Sequence, residues 1–138
     1  MTQINPYIGF NGKCREAMNF YKECLGGELN MMAVKDTPAA ASCPAGTEDQ
    51  IMHSSLTKNG MVVMATDMAQ GTYQQGNNVA LSVNCSSEEE INTFFNNLAA
   101  GGTITCPLGV QFWGDTFGSL TDKFGIHWMF NYSKNQNQ

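Results

Sequence analysis

The sequence predicts an α+β fold built from two tandem β-α-β-β-β modules, because one pattern occurs twice along the chain. In each copy a β-like run leads into an amphipathic helix with an aromatic pair, followed by a glycine pair and further β-like runs. The repeated residues are Asn19, Phe20, Tyr21, Gly26 and Gly27 in the first copy and Thr93, Phe94, Phe95, Gly101 and Gly102 in the second. Modules of about half this chain cannot each bury a sizeable core, so we expect them to pair and to form a cleft between them.

The first module, residues 1–70, is predicted to contain one helix and four strands. The apolar positions of the helix, Ala17, Met18, Tyr21 and Leu25, recur at the spacing of one buried face. Asn59-Gly60 favours the tight turn of a hairpin, and the proline- and alanine-rich residues 38–46 indicate a mobile flap. The predicted elements are a strand at 4–10, a helix at 13–25, a strand at 28–34, and hairpin strands at 49–56 and 61–68.

The second module, residues 71–138, repeats this order, so we treat residues 1–138 as a single domain. Ser86 and Ser87 predict a helix start, and the carboxylates of residues 88–90 complement the positive end of the helix dipole. The predicted elements are a strand at 79–83, a helix reaching residue 100, and strands at 103–106, 116–121 and 126–132.

Composition excludes several classes of partner. The chain has 138 residues, 42% of them hydrophobic, and a net charge of −5 without a basic stripe. Nucleic acid and anionic membrane surfaces need clustered Lys and Arg, so neither is an expected partner. The N-terminus lacks the pattern of a signal peptide, and no apolar run approaches the roughly 18 residues of a membrane helix, so we expect a cytoplasmic protein.

The five cysteines, Cys14, Cys24, Cys43, Cys85 and Cys106, are odd in number and form no C-x-x-C pair. Their spacing favours small buried hydrophobes in a reducing compartment. Cys14 is the one candidate nucleophile, because a helix N-terminus at this position would lower the pKa of its thiol.

Three segments carry a resemblance to a known family. These are Asn-Pro-Tyr-Ile-Gly-Phe-Asn-Gly at residues 5–12, Phe-Trp-Gly-Asp-Thr-Phe-Gly at 112–118 and Thr-Asp-Lys-Phe-Gly-Ile-His-Trp-Met at 121–129. With the paired modules, they resemble the PhnB-like family of the glyoxalase, bleomycin-resistance and extradiol-dioxygenase (vicinal oxygen chelate) superfamily. The resemblance implies a glyoxalase-like mixed sheet of eight strands with helices outside, a cup-shaped site, and a homodimer.

The superfamily's chemistry usually depends on a divalent metal held by His and Glu on the first and last strand of each module. Carried over to this sequence, the slots fall on Pro6 or Tyr7, Asp67, Asn78 and Met129. One carboxylate, one amide and one thioether are a poor ligand set for zinc or a hard cation. We therefore expect no conventional metal centre and no other cofactor.

The family also carries the label 3-demethylubiquinone 3-methyltransferase. The sequence does not support that activity, because no glycine-rich loop joins an early strand to its helix and no acidic residue follows to hold a ribose. The fold implied by the repeat is also not a methyltransferase fold.

His53 and Asp67 are the candidate catalytic pair. They come from the two strands of a predicted hairpin, and if they approach each other, the pair could serve as a general base. The alternative is a structural hydrogen bond.

Strand alternation sorts the residues of the second module. Trp128, Phe130 and Tyr132 share one face, expected to be core against a helix, while His127, Met129 and Asn131 share the other, expected to line the cup. Trp113, Asp115 and Phe117 are predicted to form the rim, unless they only organise a tight bend. Asp122 is interpreted as a structural turn residue.

The sequence thus predicts a protein that binds a small organic molecule through Tyr7, Asn78, Trp113, Asp115, Phe117, His127 and Met129. Whether it turns that molecule over is left open. The alternatives are a non-catalytic binder of the drug-resistance type, suited to a cationic ligand, and a metal-dependent lyase or dioxygenase. The nine methionines are mainly expected in the core, although a plastic pocket is a second possibility.

Overall fold

The computed structural model describes residues 2–67 and 73–134, and the chain divides into two compact units, Met1–Gln74 and Gln75–Gln138. Each unit has a four-stranded mixed sheet and one α-helix. The predicted α+β fold is therefore confirmed. The part of the second hairpin strand predicted at Met68 lies outside the described residues.

Unit 1 follows the predicted β-α-β-β-β order. Its elements are β1 (Tyr7–Gly9), α1 (Cys14–Leu25), β2 (Glu28–Ala33), β3 (Ile51–Lys58) and β4 (Met61–Thr66). The strand order is β1-β4-β3-β2, with β1 parallel to β4 and the other pairs antiparallel. Val34–Asp36 and Pro38–Ser42 form two short 3-10 helices, and the second, which lies within the predicted flap, has no buried residue.

Unit 2 repeats the same architecture. Its elements are β5 (Leu81–Asn84), α2 (Glu88–Ala99), β6 (Thr103–Val110), β7 (Thr116–Thr121) and β8 (His127–Tyr132), with strand order β5-β8-β7-β6. The prediction that β6 ends at residue 106 was wrong. The strand continues through Pro107. Because β6 is an edge strand with an irregular register at this point, the missing N–H of proline removes no hydrogen bond to the neighbouring strand.

Each helix packs on one face of its own sheet. The predicted apolar face of α1 is buried, and on α2 the buried residues are Ile91, Phe94, Phe95 and Leu98. The Phe95 ring meets the Phe130 ring of β8 edge to face at 5.6 Å. Phe130 also stacks with Trp128, and both are buried as predicted. Fully burying such a side chain contributes about 1.5–3 kcal/mol.

The repeated glycine pair has the same structural purpose in both units. Gly26 directly follows α1 and Gly101 follows α2 after Ala100; they have positive φ angles of 80° and 76°, which glycine adopts without strain. The second glycine lies against the backbone of the neighbouring strand: a Cβ on Gly27 would come within 2.6 Å of the Thr57 carbonyl oxygen. On Gly102 it would lie closer still to the Thr121 carbonyl oxygen.

The face of each sheet that points away from its helix is called the open face. Strand pairing identifies its residues, because directly opposite residues share a face. In unit 1, Tyr7 lies opposite Met64, and His53 lies opposite Met32. In unit 2, Phe117 lies opposite Asn131, and Thr121 opposite His127.

Among residues 2–67 and 73–134, no helix is both long enough and apolar enough to cross a membrane.

The close approach of Gly102 to β7 predicts a large effect of one methyl group. Gly102→Ala should lower the free energy of unfolding by about 1–3 kcal/mol, because the chain must shift to relieve the contact with the Thr121 carbonyl. Gly76→Ala is the matched control, since its Cβ would meet only the Asn78 side chain at 3.5 Å, and should change stability by less than about 0.5 kcal/mol. Urea unfolding of both variants makes the comparison, and equal stabilities would contradict this role of the glycine pair.

Candidate functional site

The open face of unit 2 brings together most of the predicted ligand-contact residues. Phe117 of β7, and His127 and Met129 of β8, lie on this face by strand pairing. The Trp113 ring meets the Phe117 ring at 6.3 Å in an edge-to-face arrangement. Trp113 is 51% exposed and Met129 is 37% exposed, so both side chains are accessible from solvent.

Asp115 serves both the bend and the open face. Its backbone carbonyl accepts a hydrogen bond from Gln111 N–H in the turn between β6 and β7, where Gly114 has a φ of 98°. Its side-chain Oδ2 accepts from the Asn131 amide at 3.2 Å. Sequence reasoning placed Asn131 on this face by strand alternation but did not identify it as the partner of Asp115.

His127 is held in a fixed orientation. Its Nδ1 atom lies 2.9 Å from Thr121 Oγ1 on the neighbouring strand. Because one ring nitrogen is hydrogen-bonded to the protein, Nε2 is the nitrogen that is left to meet a ligand.

Asn78 does not lie on the sheet. The strand predicted to begin at Val79 begins instead at Leu81, so Asn78 is an exposed residue in the segment before β5. The β5 residue opposite Met129 is Ser82.

In unit 1, Tyr7 and His53 contact each other across the open face. The Tyr7 hydroxyl lies 3.1 Å from His53 Nδ1, and the two rings are 5.7 Å apart. The residues come from β1 and β3, which are separated by β4. The side chains therefore reach over the central strand.

The expected approach of His53 to Asp67 is not found, which corrects the predicted pair. Ser54 lies opposite Ala65, so alternation directs His53 and Asp67 to opposite faces of the sheet. The Asp67 carboxylate instead accepts hydrogen bonds from the backbone N–H groups of Gly12, Cys14 and Ile51 at 2.9, 3.0 and 3.0 Å. Asp67 thus caps the start of α1. The N-cap residue of this helix, Lys13, makes no side-chain capping hydrogen bond of its own.

Cys14 is buried at this same helix start, and it is not an activated nucleophile. The pKa of its thiol is raised from 9.0 to about 11, mainly by burial; a hydrogen bond with Ser54 opposes this shift, and the Asp67 charge adds to it. The helix dipole was expected to lower this pKa, and that expectation is wrong. Because the folded protein holds this thiol proton to a higher pH than the unfolded chain does, the stability tied to Cys14 is present below pH 9 and is lost as pH rises towards 11.

The four residues at the superfamily's metal positions do not suit a metal ion. Asp67, the only carboxylate among them, already accepts three N–H groups. Within residues 2–67 and 73–134, no three His, Cys, Asp or Glu side chains are grouped closely enough to hold a metal.

Asp122 has the structural role predicted for it. Its buried carboxylate accepts hydrogen bonds from Phe124 N–H, Ile126 N–H and the Trp128 indole N–H, the last at 2.8 Å. These bonds fix the turn between β7 and β8 and hold the Trp128 ring in the core.

Comparison with known proteins identifies the family. Residues 2–130 match the family model described as 3-demethylubiquinone-9 3-methyltransferase. The chain belongs to this PhnB-like family. It is 32% identical over 142 residues to protein YjdN of Escherichia coli, covering 96% of this chain and 97% of that protein.

Solved structures of PhnB-like and related proteins have the same fold. The PA1353 protein of Pseudomonas aeruginosa is 40% identical with a TM-score of 0.86, covering 96% of this chain and 98% of that chain. A PhnB protein from Bacillus cereus is 31% identical with a TM-score of 0.74, covering 96% and 100%. A glyoxalase/bleomycin resistance protein from Albidiferax ferrireducens, at 18% identity, a TM-score of 0.65 and coverage of 93% and 95%, shows the superfamily fold alone.

The capping role of Asp67 predicts a loss of stability on its removal. Asp67→Ala leaves three backbone N–H groups without their acceptor and should lower the free energy of unfolding by about 2–4 kcal/mol. Asp49→Ala is the control, because the Asp49 side chain is 87% exposed in its ion pair with Lys35 and should cost less than about 0.5 kcal/mol. Thermal and urea unfolding measure both. A stable Asp67→Ala protein would show that the cap is unimportant.

Cysteine labelling tests the inert state of Cys14. In the folded protein at pH 8, iodoacetamide should modify the half-buried Cys43 and Cys106 and spare the buried Cys14, Cys24 and Cys85. The pKa values of Cys14 and Cys85 are raised to about 11 and about 12 by burial, so few thiolates form. Peptide mass spectrometry measures each site, with urea-unfolded protein as the fully labelled control. Labelling of Cys14 as fast as that of Cys43 would contradict the structure.

Proposed function

We propose that this PhnB-like protein binds a small organic molecule on its open faces and does so without a conventional metal centre. The observation that carries the proposal is the open face of unit 2, where exposed aromatic and thioether groups alternate with polar groups held in place by hydrogen bonds. Binding sites for small molecules combine apolar contact area with a few oriented polar groups in the same way.

The apolar part of this surface is accessible from solvent. Trp113 and Phe117 present adjoining rings, and Met129 adds an adaptable thioether that is 37% exposed. Exposed apolar area of this kind gains free energy when a ligand removes it from water. We therefore propose that the ligand has an aromatic or other apolar body.

The polar part favours ligands that donate hydrogen bonds. The Asp115 carboxylate makes one side-chain hydrogen bond, through Oδ2, to Asn131, and His127 offers its Nε2 atom. Among residues 2–67 and 73–134, no Lys or Arg lies within ion-pair distance of Asp115.

The second candidate function is non-catalytic sequestration of a cationic molecule. A carboxylate without a cationic partner beside two aromatic rings suits an organic ammonium group, which gains from both the charge and the ring faces. Binding that weakens steeply with salt for a cationic ligand, without chemical change of that ligand, would favour this candidate. A metal-dependent lyase or dioxygenase has no comparable support in the ligand set.

The leading experiment is native mass spectrometry of the protein purified without denaturation or chelator. We expect a co-purified organic molecule of defined mass that is released on unfolding, together with less than one transition metal per chain by elemental analysis. A protein with one tightly held metal per chain and no organic ligand would overturn the proposal.

We further propose that the protein is a cytoplasmic homodimer. All five cysteines are free thiols, which suits a reducing compartment. The strands β2 and β6 are edges of their sheets, and edge strands need to be covered or blocked. Sedimentation should therefore give a dimer at micromolar concentration, and a monodisperse monomer would contradict this expectation.

The two tryptophans test the assignment of the faces. Trp113→Ala should weaken binding of the co-purified molecule about 5- to 150-fold, corresponding to about 1–3 kcal/mol of lost contact, and leave the fold intact. Trp128→Phe is the control, because Trp128 is buried and bonded to Asp122; it should lower stability with little change in affinity. Ligand should perturb the Trp113 fluorescence that remains in Trp128→Phe much more than the Trp128 fluorescence that remains in Trp113→Phe. Equal responses would show that the faces are assigned wrongly.

A further inference from the structure

The chain contains two Asn-Gly sequences, Asn11-Gly12 before α1 and Asn59-Gly60 between β3 and β4. Asparagine followed by glycine readily loses its side-chain ammonia, because no Cβ hinders the glycine nitrogen as it approaches the side-chain amide. All four residues are exposed, and Gly12 and Gly60 have similar φ angles of 85° and 89°. The two sites differ in what holds the glycine nitrogen.

The nitrogen of Gly60 is not held. Among residues 2–67 and 73–134, no group accepts a hydrogen bond from Gly60 N–H. The space around this glycine is open, since a Cβ on it would have no atom within 4 Å. The hairpin is closed by the pairing of Lys58 with Met61, so Gly60 N–H can change its direction without breaking a hydrogen bond of its own.

Asn59 itself has an unfavourable backbone conformation. Its φ is 46°, and it is the only residue other than glycine with a positive φ among residues 2–67 and 73–134. A residue with a Cβ pays a steric cost in this left-handed region, although asparagine tolerates it better than most. Leaving this conformation relieves that cost, so local opening of the turn is favoured over opening of the paired strands.

The nitrogen of Gly12 is held by a carboxylate. Gly12 N–H donates to Asp67 Oδ1 at 2.9 Å, and the same oxygen accepts from Cys14 N–H at 3.0 Å. Gly12 can attack the Asn11 side chain only after it loses its N–H proton. That loss would break the hydrogen bond and leave two negative charges in contact. Asp67 therefore opposes the reaction at Asn11.

We propose that Asn59 is a site of spontaneous deamidation in the folded protein and that Asp67 protects Asn11 from the same reaction. The Gly60 nitrogen gives its proton to solvent and bonds to Cγ of Asn59. The side-chain nitrogen takes a proton from solvent and leaves as ammonia, which produces a cyclic imide. Water opens the imide at either of its carbonyls, giving aspartate or isoaspartate. One water is consumed and one ammonia is released, so the reaction needs no oxidant, reductant or metal.

The products alter the turn at which they form. Both place a negative charge next to Lys58, and isoaspartate also adds a carbon to the main chain of a two-residue turn. Lys58 Nζ donates to the Leu25 carbonyl at the end of α1 at 2.9 Å. Gly27 packs against the Thr57 carbonyl on the same strand. Deamidation of Asn59 therefore acts on the contact between the hairpin and α1.

Peptide mass spectrometry of folded protein held at pH 8 tests the proposal. The deamidated fraction should grow at least about 10-fold faster at Asn59 than at Asn11, because the charge-assisted hydrogen bond from Gly12 must open first. Urea-unfolded protein is the control, since neither nitrogen is held there and the two rates should be similar. Equal rates in the folded protein, or no deamidation of Asn59, would overturn the proposal.

A pair of variants isolates the carboxylate of Asp67. Asp67→Asn keeps an acceptor but removes the charge, and it should raise the rate at Asn11 about 5- to 10-fold without changing the rate at Asn59. Asp49→Asn is the matched control, because this exposed carboxylate pairs with Lys35 and should leave both rates unchanged. General unfolding would instead bring both sites to the rates of the urea-unfolded chain.

An unchanged rate at Asn11 in folded Asp67→Asn protein would contradict the protecting role. If this variant does not fold, the ratio of the two rates in folded wild-type protein still decides the question. The reaction involves no ligand, so the result is independent of whether the open faces bind a small molecule.

Discussion

Each sheet of this protein is packed by one helix, and that constraint determines which side chains of the sheet face away from the core. Strand residues alternate between two faces. Because Trp128 and Phe130 of β8 are buried on the face that packs against α2, the side chains of His127, Met129 and Asn131 point to the other face. The surface proposed for the ligand is thus set by the packing of the core. It inherits the rigidity of the sheet, which holds oriented groups such as Asp115 and His127 at low entropic cost to binding.

The ends of the helices show how the repeated architecture is fixed by different local chemistry. Each helix is followed by a glycine pair, and the second glycine of each pair packs against a neighbouring strand. They begin differently: Ser87 caps α2 by accepting from Glu90 N–H, whereas Asp67, distant in sequence, caps α1. A carboxylate that resembles a catalytic group in the sequence therefore has a structural role. His53 has Tyr7, and not Asp67, as its hydrogen-bond partner.

The fold and the faces of the strands could be predicted from local patterns, because helical periodicity, glycine pairs and strand alternation depend on near neighbours. The repeat predicted both modules, and alternation along β8 predicted which residues line the open face. Partners across the sheet could not be predicted this way. The contact of Tyr7 with His53 spans 46 residues and depends on β1 lying beside β4, and the cap formed by Asp67 depends on the same long-range pairing. The extension of β6 beyond residue 106 could not be predicted either, because the tolerance of Pro107 on an edge strand is visible only once the strand order is known.

The central claim is that the open faces, and not the helix-packed faces, bind the ligand. Methionine methyl NMR tests it directly, since methionines lie in both settings: Met32 and Met129 are exposed on open faces, while Met18 is buried in α1. The co-purified molecule, added back to protein labelled at the methionine methyl groups, should shift the signals of open-face methionines and leave that of Met18 unchanged. A shift confined to Met18, or none at Met32, Met64 and Met129, would contradict the account.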